Sequence, residues 1–95
     1  MTPELIDANR KLTTYAPLPQ YPPLALARHA EGSGMFLLHL RSDGIVERVD
    51  IVQSTGHRDL DEACLTVYRQ WRFVPSFAAK AHKVKMPVTF SLKIP

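Results

Sequence analysis

The chain has 95 residues, of which 45% are hydrophobic and 22% are charged, and its formal net charge is +3. This length predicts one domain with one modest core, and no apolar run approaches the ~18 residues of a membrane-spanning helix. The start of the chain lacks the basic and apolar regions of a secretory signal. A lone cysteine, Cys64, excludes an internal disulfide and a cysteine-based zinc site.

The first 23 residues hold five of the eight prolines. The stretch YAPLPQYPP, from Tyr15, is typical of extended polyproline-like chain. Upstream of it, Thr2 as a cap and Pro3 at the first helical position indicate a short helix, with extended linker as the equal alternative. The apolar stripe of that helix would consist of Leu5, Ile6, Asn9 and Leu12. We therefore predict an extension over residues 1–18 and a folded domain over residues 19–95.

A helix of about two turns is predicted in LALARHAEG, which follows Pro22 and Pro23, with Gly32 at its left-handed cap. The period then changes to two, as in a strand. Phe36, Leu38 and Leu40 share one face of this strand, and Met35, Leu37, His39 and Arg41 share the other. The outer apolar residues indicate either partial exposure in a small domain or a second contact surface, such as a homodimer interface.

A hairpin is predicted next, because Arg41-Ser42-Asp43-Gly44 supplies turn residues and IVERVDIVQ continues as a second strand. Val49 and Ile51 keep the alternation, whereas Val46 is out of phase with them. That mismatch predicts a bulge or a strong twist just after the turn.

The second helix begins at an Asp59-x-x-Glu62 capping pattern, ends near Phe73, and is not continued past Pro75. Its apolar face is predicted to consist of Leu60, Ala63, Cys64, Val67, Tyr68 and Trp71. Arg69 and Arg72 lie on another face of its last turn, where cations suit the helix dipole. Because the tryptophan and the arginines point apart, Trp71 is assigned to the core rather than to a nucleic-acid platform.

The last strand, from Val84, alternates most cleanly, and it completes the order α-β-β-α-β. We predict an α+β fold in which two helices pack on one face of a three-stranded antiparallel sheet. The predicted core residues are Phe36, Leu38, Leu40, Leu60, Val67, Trp71, Phe73, Val88 and Phe90.

Pro87 interrupts this last strand and indicates that it is an edge, because proline has no amide hydrogen to donate to a neighbour. In an antiparallel strand, alternate residues direct their main-chain groups to the same side. If Pro87 faces outward, its outward neighbours are Lys85, Thr89, Ser91 and Lys93. Lys85, Pro87, Thr89, Ser91 and Lys93 are therefore the predicted docking positions for an added strand. Protection against unwanted pairing explains the same residue types without any partner.

An ordered set of motifs resembles the C-terminal domain of TonB-family energy transducers, over roughly residues 19 to 92. The motifs are Tyr21-Pro22 before an Ala-containing helix, Gly34, Asp43-Gly44, Val-x-x-Val-x-Ile-Val-x-Ser from Val46 to Ser54 with Gly56 after it, Leu60-Asp61-x-Ala63, Trp71-Arg72-Phe73-x-Pro75, and Pro87-Val88-x-Phe90-x-Leu92. The tryptophan-arginine-aromatic-x-proline segment with a proline in the final strand is the most specific part.

The resemblance implies a periplasmic, non-enzymatic module tethered to the inner membrane by an N-terminal segment. In the family, an ExbB/ExbD-type motor driven by the proton-motive force acts through that anchor. The domain captures the TonB box, a short peptide of TonB-dependent outer-membrane receptors, as a strand beside its last strand. Uptake of siderophores, haem or vitamin B12 follows.

The resemblance also implies an auxiliary receptor contact just before the tyrosine-proline pair. Family members often carry glutamine-proline-glutamine there, whereas this chain has Leu18-Pro19-Gln20. The auxiliary positions are therefore Leu18, Gln20, Tyr21 and Pro22, with Leu18 as the departure from the family pattern.

Other functions have weaker support in the sequence. His29, His39, His57 and His82 lack the spacing of a metal site, and no cofactor-binding loop occurs. Ser54, His57 and Asp59 lie too close in one loop to align as a hydrolytic relay. Scattered basic residues argue against nucleic acid as the partner. A TolA-like scaffold or a regulatory module of the same fold is the main alternative.

Overall fold

The computed structural model describes residues 2–5 and 12–93. Its strands are β1 (Thr2–Leu5), β2 (Thr13–Tyr15), β3 (Gly32–Leu40), β4 (Val46–Gln53), β5 (Arg72–Phe73) and β6 (Lys83–Lys93). Its helices are α1 (Pro23–Ala27), α2 (Arg58–Tyr68) and α3 (Pro75–Ala81). The main antiparallel sheet has the order β1-β6-β3-β4, and β2 pairs with β5 in a separate ribbon. The predicted α+β class is confirmed, and so is the antiparallel sheet of the three predicted strands, which are β3, β4 and β6.

The core lies between one face of the main sheet and the helices. Period-two alternation buries Phe36, Leu38 and Leu40 of β3, and the same pattern buries Val88 and Phe90 of β6. Leu60, Trp71 and Phe73 are at most 1% exposed, and Val67 is half-buried against the cluster. Within the described residues, no helix has the length and apolarity needed to cross a bilayer.

The β3–β4 hairpin forms as predicted. The amide of Gly44 donates to the carbonyl oxygen of Arg41 at 2.9 Å, and Gly44 takes a φ of +94°. The register shifts after His39, because His39 pairs with Arg48 while Leu40 pairs with Val46. This confirms the predicted bulge, and a second shift, which no sequence pattern predicts, follows Met35.

The prediction that the second helix runs to Phe73 is wrong, because α2 ends at Tyr68. The predicted Asp59 cap is also absent: His57 is the N-cap residue, and the Asp59 carboxylate instead accepts two bonds from Arg28 at 2.7 Å. Arg72 lies in β5 rather than in the last helical turn. Trp71 therefore reaches the core from the turn after the helix. Its spacing from Val67 and Cys64 fits a helical period by coincidence.

Besides β1, three elements of the described residues were not predicted: β2, β5 and α3. Pro75 predicts a helix stop, but proline is equally suited to the first helical position, and it starts α3 there. The two residues of β5 join the hairpin turn to the linker, because the amide of Phe73 donates to Gly44 O at 2.8 Å while β5 pairs with β2.

The predicted left-handed cap at Gly32 is also wrong. His29, with a φ of +57°, is the left-handed residue after α1. Gly32 already begins β3, and a Cβ there would overlap the carbonyl oxygen of Thr55. Glycine is needed at position 32 for this close approach of two main-chain segments.

The proline-rich linker is tied to the domain at several points. The amide of Val74 donates to Leu12 O at 2.9 Å, and the indole Nε1 of Trp71 donates to Pro17 O at 2.8 Å. The hydroxyl of Tyr21 donates to Ala30 O, and its ring packs edge-on against Phe90 at a centroid distance of 5.3 Å. Part of the predicted extension is thus bound along the domain surface.

The short helix predicted at the start of the chain is wrong over Thr2–Leu5, which form β1. Of its predicted apolar stripe, Ile6 and Asn9 lie outside the described residues. Thr-Pro is a common helix start, but pairing with a strand about 90 residues away in the chain decides the conformation of these four residues.

Candidate functional site

The candidate site is the side of β6 that faces away from β3. At one end of the β3–β6 ladder, the amide of Leu40 donates to His82 O at 2.7 Å. At the other end, the amide of Leu92 points to the same side and donates to Glu31 Oε1 at 2.7 Å. In an antiparallel strand, successive residues direct their main-chain N–H and C=O groups to opposite sides. The even-numbered residues of β6 therefore direct these groups toward β3. The odd-numbered residues direct their main-chain groups outward.

The outward set contains the predicted docking positions Lys85, Pro87, Thr89, Ser91 and Lys93. Pro87 lies opposite Met35 in a pair that exchanges no hydrogen bonds with β3. Its missing amide hydrogen therefore costs the β3–β6 ladder nothing. This is the physical reason why proline is accommodated inside a long strand.

The prediction that the whole of the last strand is an edge is wrong at its C-terminal end. β1 pairs there in antiparallel register, from Thr2 opposite Lys93 to Leu5 opposite Phe90. Among the described residues, no strand pairs with the outer side of Pro87–Thr89. Within the described residues, the edge is thus divided into a part that β1 covers and a part along which no strand is paired.

The side chains of the outward positions Lys85, Pro87, Thr89 and Ser91 lie on the sheet face opposite the core. Thr89 is half-buried, and its hydroxyl lies 3.0 Å from that of Ser33 across the ladder. Met35 and Leu37 of β3 are half-buried on this same face, which leaves open both partial exposure and a second contact surface. Leu37 lies opposite Lys85. The apolar side chains Met35 and Leu37 are therefore one strand away from the edge at which a peptide would add.

Three polar side chains, His39, Arg48 and Asp50, contact one another at the β4 side of this face. The His39 ring Nε2 lies 2.7 Å from Asp50 Oδ2 and 3.2 Å from an Arg48 nitrogen. The hydrogen bond with His39 and the charge of Arg48 hold the pKa of Asp50 below its usual range. These contacts join side chains of β3 and β4 on the side of the sheet farthest from β6.

The predicted auxiliary positions separate into two groups. Leu18, Gln20 and Pro22 line a groove of about 520 Å³ between the linker and α2, whose opposite wall includes Glu62 and Val67. Leu18 is 42% exposed there. Tyr21 instead turns inward to Ala30 and Phe90, so its contacts are those of a structural residue.

The residue types of a hydrolytic relay do not form one. Ser54 Oγ donates to Asp61, and Asp59 is held by Arg28. Asp61 also accepts bonds from the Thr55 amide at 2.9 Å and hydroxyl at 2.7 Å. Burial raises its pKa, but these hydrogen bonds outweigh burial and lower it. Asp61 therefore shapes the loop between β4 and α2.

The remaining reactive groups are also structural. Cys64 is fully buried, and burial raises the pKa of its thiol to about 12, so it stays protonated. Within residues 2–5 and 12–93, His, Cys, Asp and Glu form no group of three or more that could hold a metal ion.

Sequence reasoning missed two contacts of the site, the β1 pairing and the Trp71–Pro17 bond. A signal for the first was Pro3, which suits a strand at the margin of a sheet as well as a helix start. No local signal marks the second, because Trp71 and Pro17 lie 54 residues apart.

Comparison with known proteins gives consistent matches. The family described as "Gram-negative bacterial TonB protein C-terminal" matches residues 17–92. Protein tonB2 of Pseudomonas aeruginosa is 32% identical over 79 residues, which are 80% of this chain and 29% of that protein. Protein TonB of Vibrio cholerae is 31% identical over 78 residues, 79% of this chain and 32% of that protein.

The fold has a counterpart among solved structures. The solution NMR structure of the Pseudomonas aeruginosa TonB CTD superposes with a TM-score of 0.74 at 23% identity, covering 87% of each chain. The chain spans about a third of the length of the curated relatives that it matches.

Proposed function

The chain belongs to the Gram-negative bacterial TonB protein C-terminal family, and on that premise we propose that it is the receptor-binding domain of a TonB-like energy transducer. It works in the periplasm, without catalysis, and binds the TonB box of an outer-membrane receptor as a strand added to β6. The observation that carries this proposal is the outward phase of the odd-numbered residues of β6, in which Pro87 lies. Work derived from the proton-motive force then reaches the receptor through the linker and supports uptake of a siderophore, haem or a similar nutrient.

The edge suits recognition of a peptide main chain. Thr89 and Ser91 each direct one amide and one carbonyl group outward, whereas Pro87 directs only a carbonyl group. Each main-chain bond contributes about 0.5–1.5 kcal/mol net. A handful of such bonds makes a modest complex with little demand on sequence, and side chains on the outer face then select among peptides.

The linker contacts suit transmission of force. A pull from the N-terminal side loads the β1–β6 pairs first, and after β1 has opened it loads the β2–β5 ribbon and the Trp71–Pro17 bond. β5 is in turn bonded to the hairpin turn at Gly44. Downstream of β1, the load therefore enters the domain on the side of the β3–β4 hairpin, through several hydrogen bonds rather than through one contact.

Titration of the isotope-labelled chain with synthetic TonB-box peptides tests this function. We expect the largest amide chemical-shift changes in the outward residues of β6, above all Thr89 and Ser91, and affinity that depends weakly on ionic strength. Changes confined to other elements would reject strand addition at this edge. Steeply salt-dependent binding of DNA or RNA, with no peptide response, would favour a nucleic-acid module instead.

A further inference from the structure

β1 occupies part of the edge that the proposed function assigns to the receptor peptide. Its register places Thr2 opposite Lys93 and Glu4 opposite Ser91. Since the odd-numbered residues of β6 face outward, these two are the hydrogen-bonded pairs. The described part of β1 thus engages two of the predicted docking positions, Ser91 and Lys93.

The sequence of β1 allows only one choice of which residues direct their main-chain groups toward β6. With Thr2 and Glu4 turned toward β6, the nitrogen of Pro3 faces away from the sheet, where no donor is needed. A shift of one residue would turn Pro3 toward β6 and remove a ladder bond. Pro3 also leaves the outer side of β1 without one donor, which discourages a further strand from adding there.

The part of the edge that β1 covers contains more outward main-chain amide donors than the part around Pro87. Beyond Pro87, toward the C-terminus, Thr89, Ser91 and Lys93 each offer an amide donor, and β1 takes two of the three. Pro87 offers none. A peptide that is to form a continuous ladder along this part must therefore displace β1.

We propose that β1 is a built-in competitor for the docking edge, so that Ser91 and Lys93 pair either with Thr2 and Glu4 or with the receptor peptide. The inference rests on the proposed function for the identity of the second occupant. β1 is short, lies at the margin of the sheet, and is joined to the linker, so it opens without unfolding the core. The apparent dissociation constant for the peptide then equals the intrinsic one divided by the fraction of chains in which β1 is open.

Two proline substitutions in the 95-residue chain separate competition from other effects. Glu4→Pro removes an amide that faces β6, whereas Leu5→Pro removes one that faces away, so the second is the matched control. The two measurements are amide hydrogen exchange at Ser91 and affinity for a synthetic TonB-box peptide. We expect Glu4→Pro to speed exchange at Ser91 and to tighten peptide binding about fivefold. Leu5→Pro should change both much less.

The outcomes are distinct for the two proposals. Equal exchange at Ser91 in the unsubstituted chain and Glu4→Pro would overturn β1 as an occupant, whether or not the peptide binds. Peptide binding at β6 with unchanged affinity in Glu4→Pro would overturn the competition but leave the proposed function standing. Protection of Ser91 that grows with protein concentration would assign the strand to a second copy of the chain, and would also overturn it. Binding by neither chain would reject the proposed function and the competition with it.

Discussion

The indole Nε1 of Trp71 and the carbonyl oxygen of Pro17 form a hydrogen bond of 2.8 Å that joins the linker to the buried aromatic cluster. Trp71 itself is fully buried, with its ring edge-on to Tyr68 at 5.0 Å. The side chain therefore has two roles: its rings fill the core and its one polar atom fixes the path of the linker.

Replacing this tryptophan should loosen the linker as well as weaken the core. Trp71→Phe removes the only donor of the side chain and part of its volume, so we expect unfolding to become easier by about 2–4 kcal/mol. Urea unfolding measures that loss. Amide exchange at Leu18, next to Pro17, should speed up in Trp71→Phe but not in the control Phe73→Leu, which removes core volume without touching Pro17. Unchanged exchange at Leu18 would show that the bond does not hold the linker.

Gly44 and Gly56 form a second matched pair, because both have positive φ, of +94° and +92°. A Cβ at Gly44 would overlap the carbonyl oxygen of Phe73, whereas one at Gly56 would meet nothing within 4 Å. Gly56→Ala should therefore cost only the backbone strain, about 1–2 kcal/mol. Gly44→Ala should cost clearly more, because the hairpin turn must also separate from β5. Thermal unfolding compares the two variants, and equal losses would contradict the contact between the turn and β5.

The ion pair between Arg28 and Asp59 predicts a specific dependence of stability on pH. Hydrogen bonds from Arg28 lower the pKa of Asp59 to about 2, below the ~3.9 of an unfolded chain. As the pH falls, the unfolded chain takes up this proton first, so the stabilisation is present above about pH 4 and is lost as the pH approaches 2. Unfolding measured from pH 5 to pH 2 should show a shallower decline in Arg28→Ala. A carboxyl titration of Asp59 near 4 in the unsubstituted chain would contradict the pairing.

Asp61 should matter more to stability than its neighbour Glu62. Asp61→Ala leaves the buried amide of Thr55 without its acceptor and leaves the Thr55 hydroxyl with only the carbonyl oxygen of His57, which should cost about 2–4 kcal/mol. Glu62 is exposed and reaches Arg58 only at 3.5 Å, so Glu62→Ala should cost about 0–0.5 kcal/mol. Denaturant unfolding of the two variants measures the difference. Similar losses would mean that the Asp61 hydrogen bonds do not shape the loop.

The three long strands β3, β4 and β6 and the body of the helix α2 could be predicted from the sequence because their patterns are local. The alternation from Phe36 to Leu40 needs only one buried face, and Asp43-Gly44 specifies its own turn. The end of α2 could not be placed, since Trp71 returns to the core from the following turn and so continues the helical period by coincidence. β1 depends on pairing with residues 90–93, and a four-residue segment contains no pattern that reveals a partner so distant in sequence.

In the candidate site, too, local features could be predicted from the sequence and tertiary pairing could not. Pro87 alone predicts which residues of β6 face outward, because its missing donor fixes the phase of the strand, and the hydrogen bonds of Leu40 and Leu92 place the even-numbered residues toward β3. The covering of the C-terminal end by β1 could not be predicted, since it follows from tertiary pairing. The docking role of the outward residues remains a prediction.

The most direct test of the account is the affinity of TonB-box peptide for two variants at Thr89. Thr89→Pro removes an outward amide and leaves the β3 ladder intact, while Thr89→Val removes only the hydroxyl that meets Ser33. The measurement is the peptide dissociation constant by calorimetry, with unfolding as the control for folding. We expect Thr89→Pro to weaken binding about tenfold, as the loss of one main-chain bond and its contact would do, and Thr89→Val to bind like the unsubstituted chain. Equal affinity of both variants and the unsubstituted chain would contradict strand addition at β6.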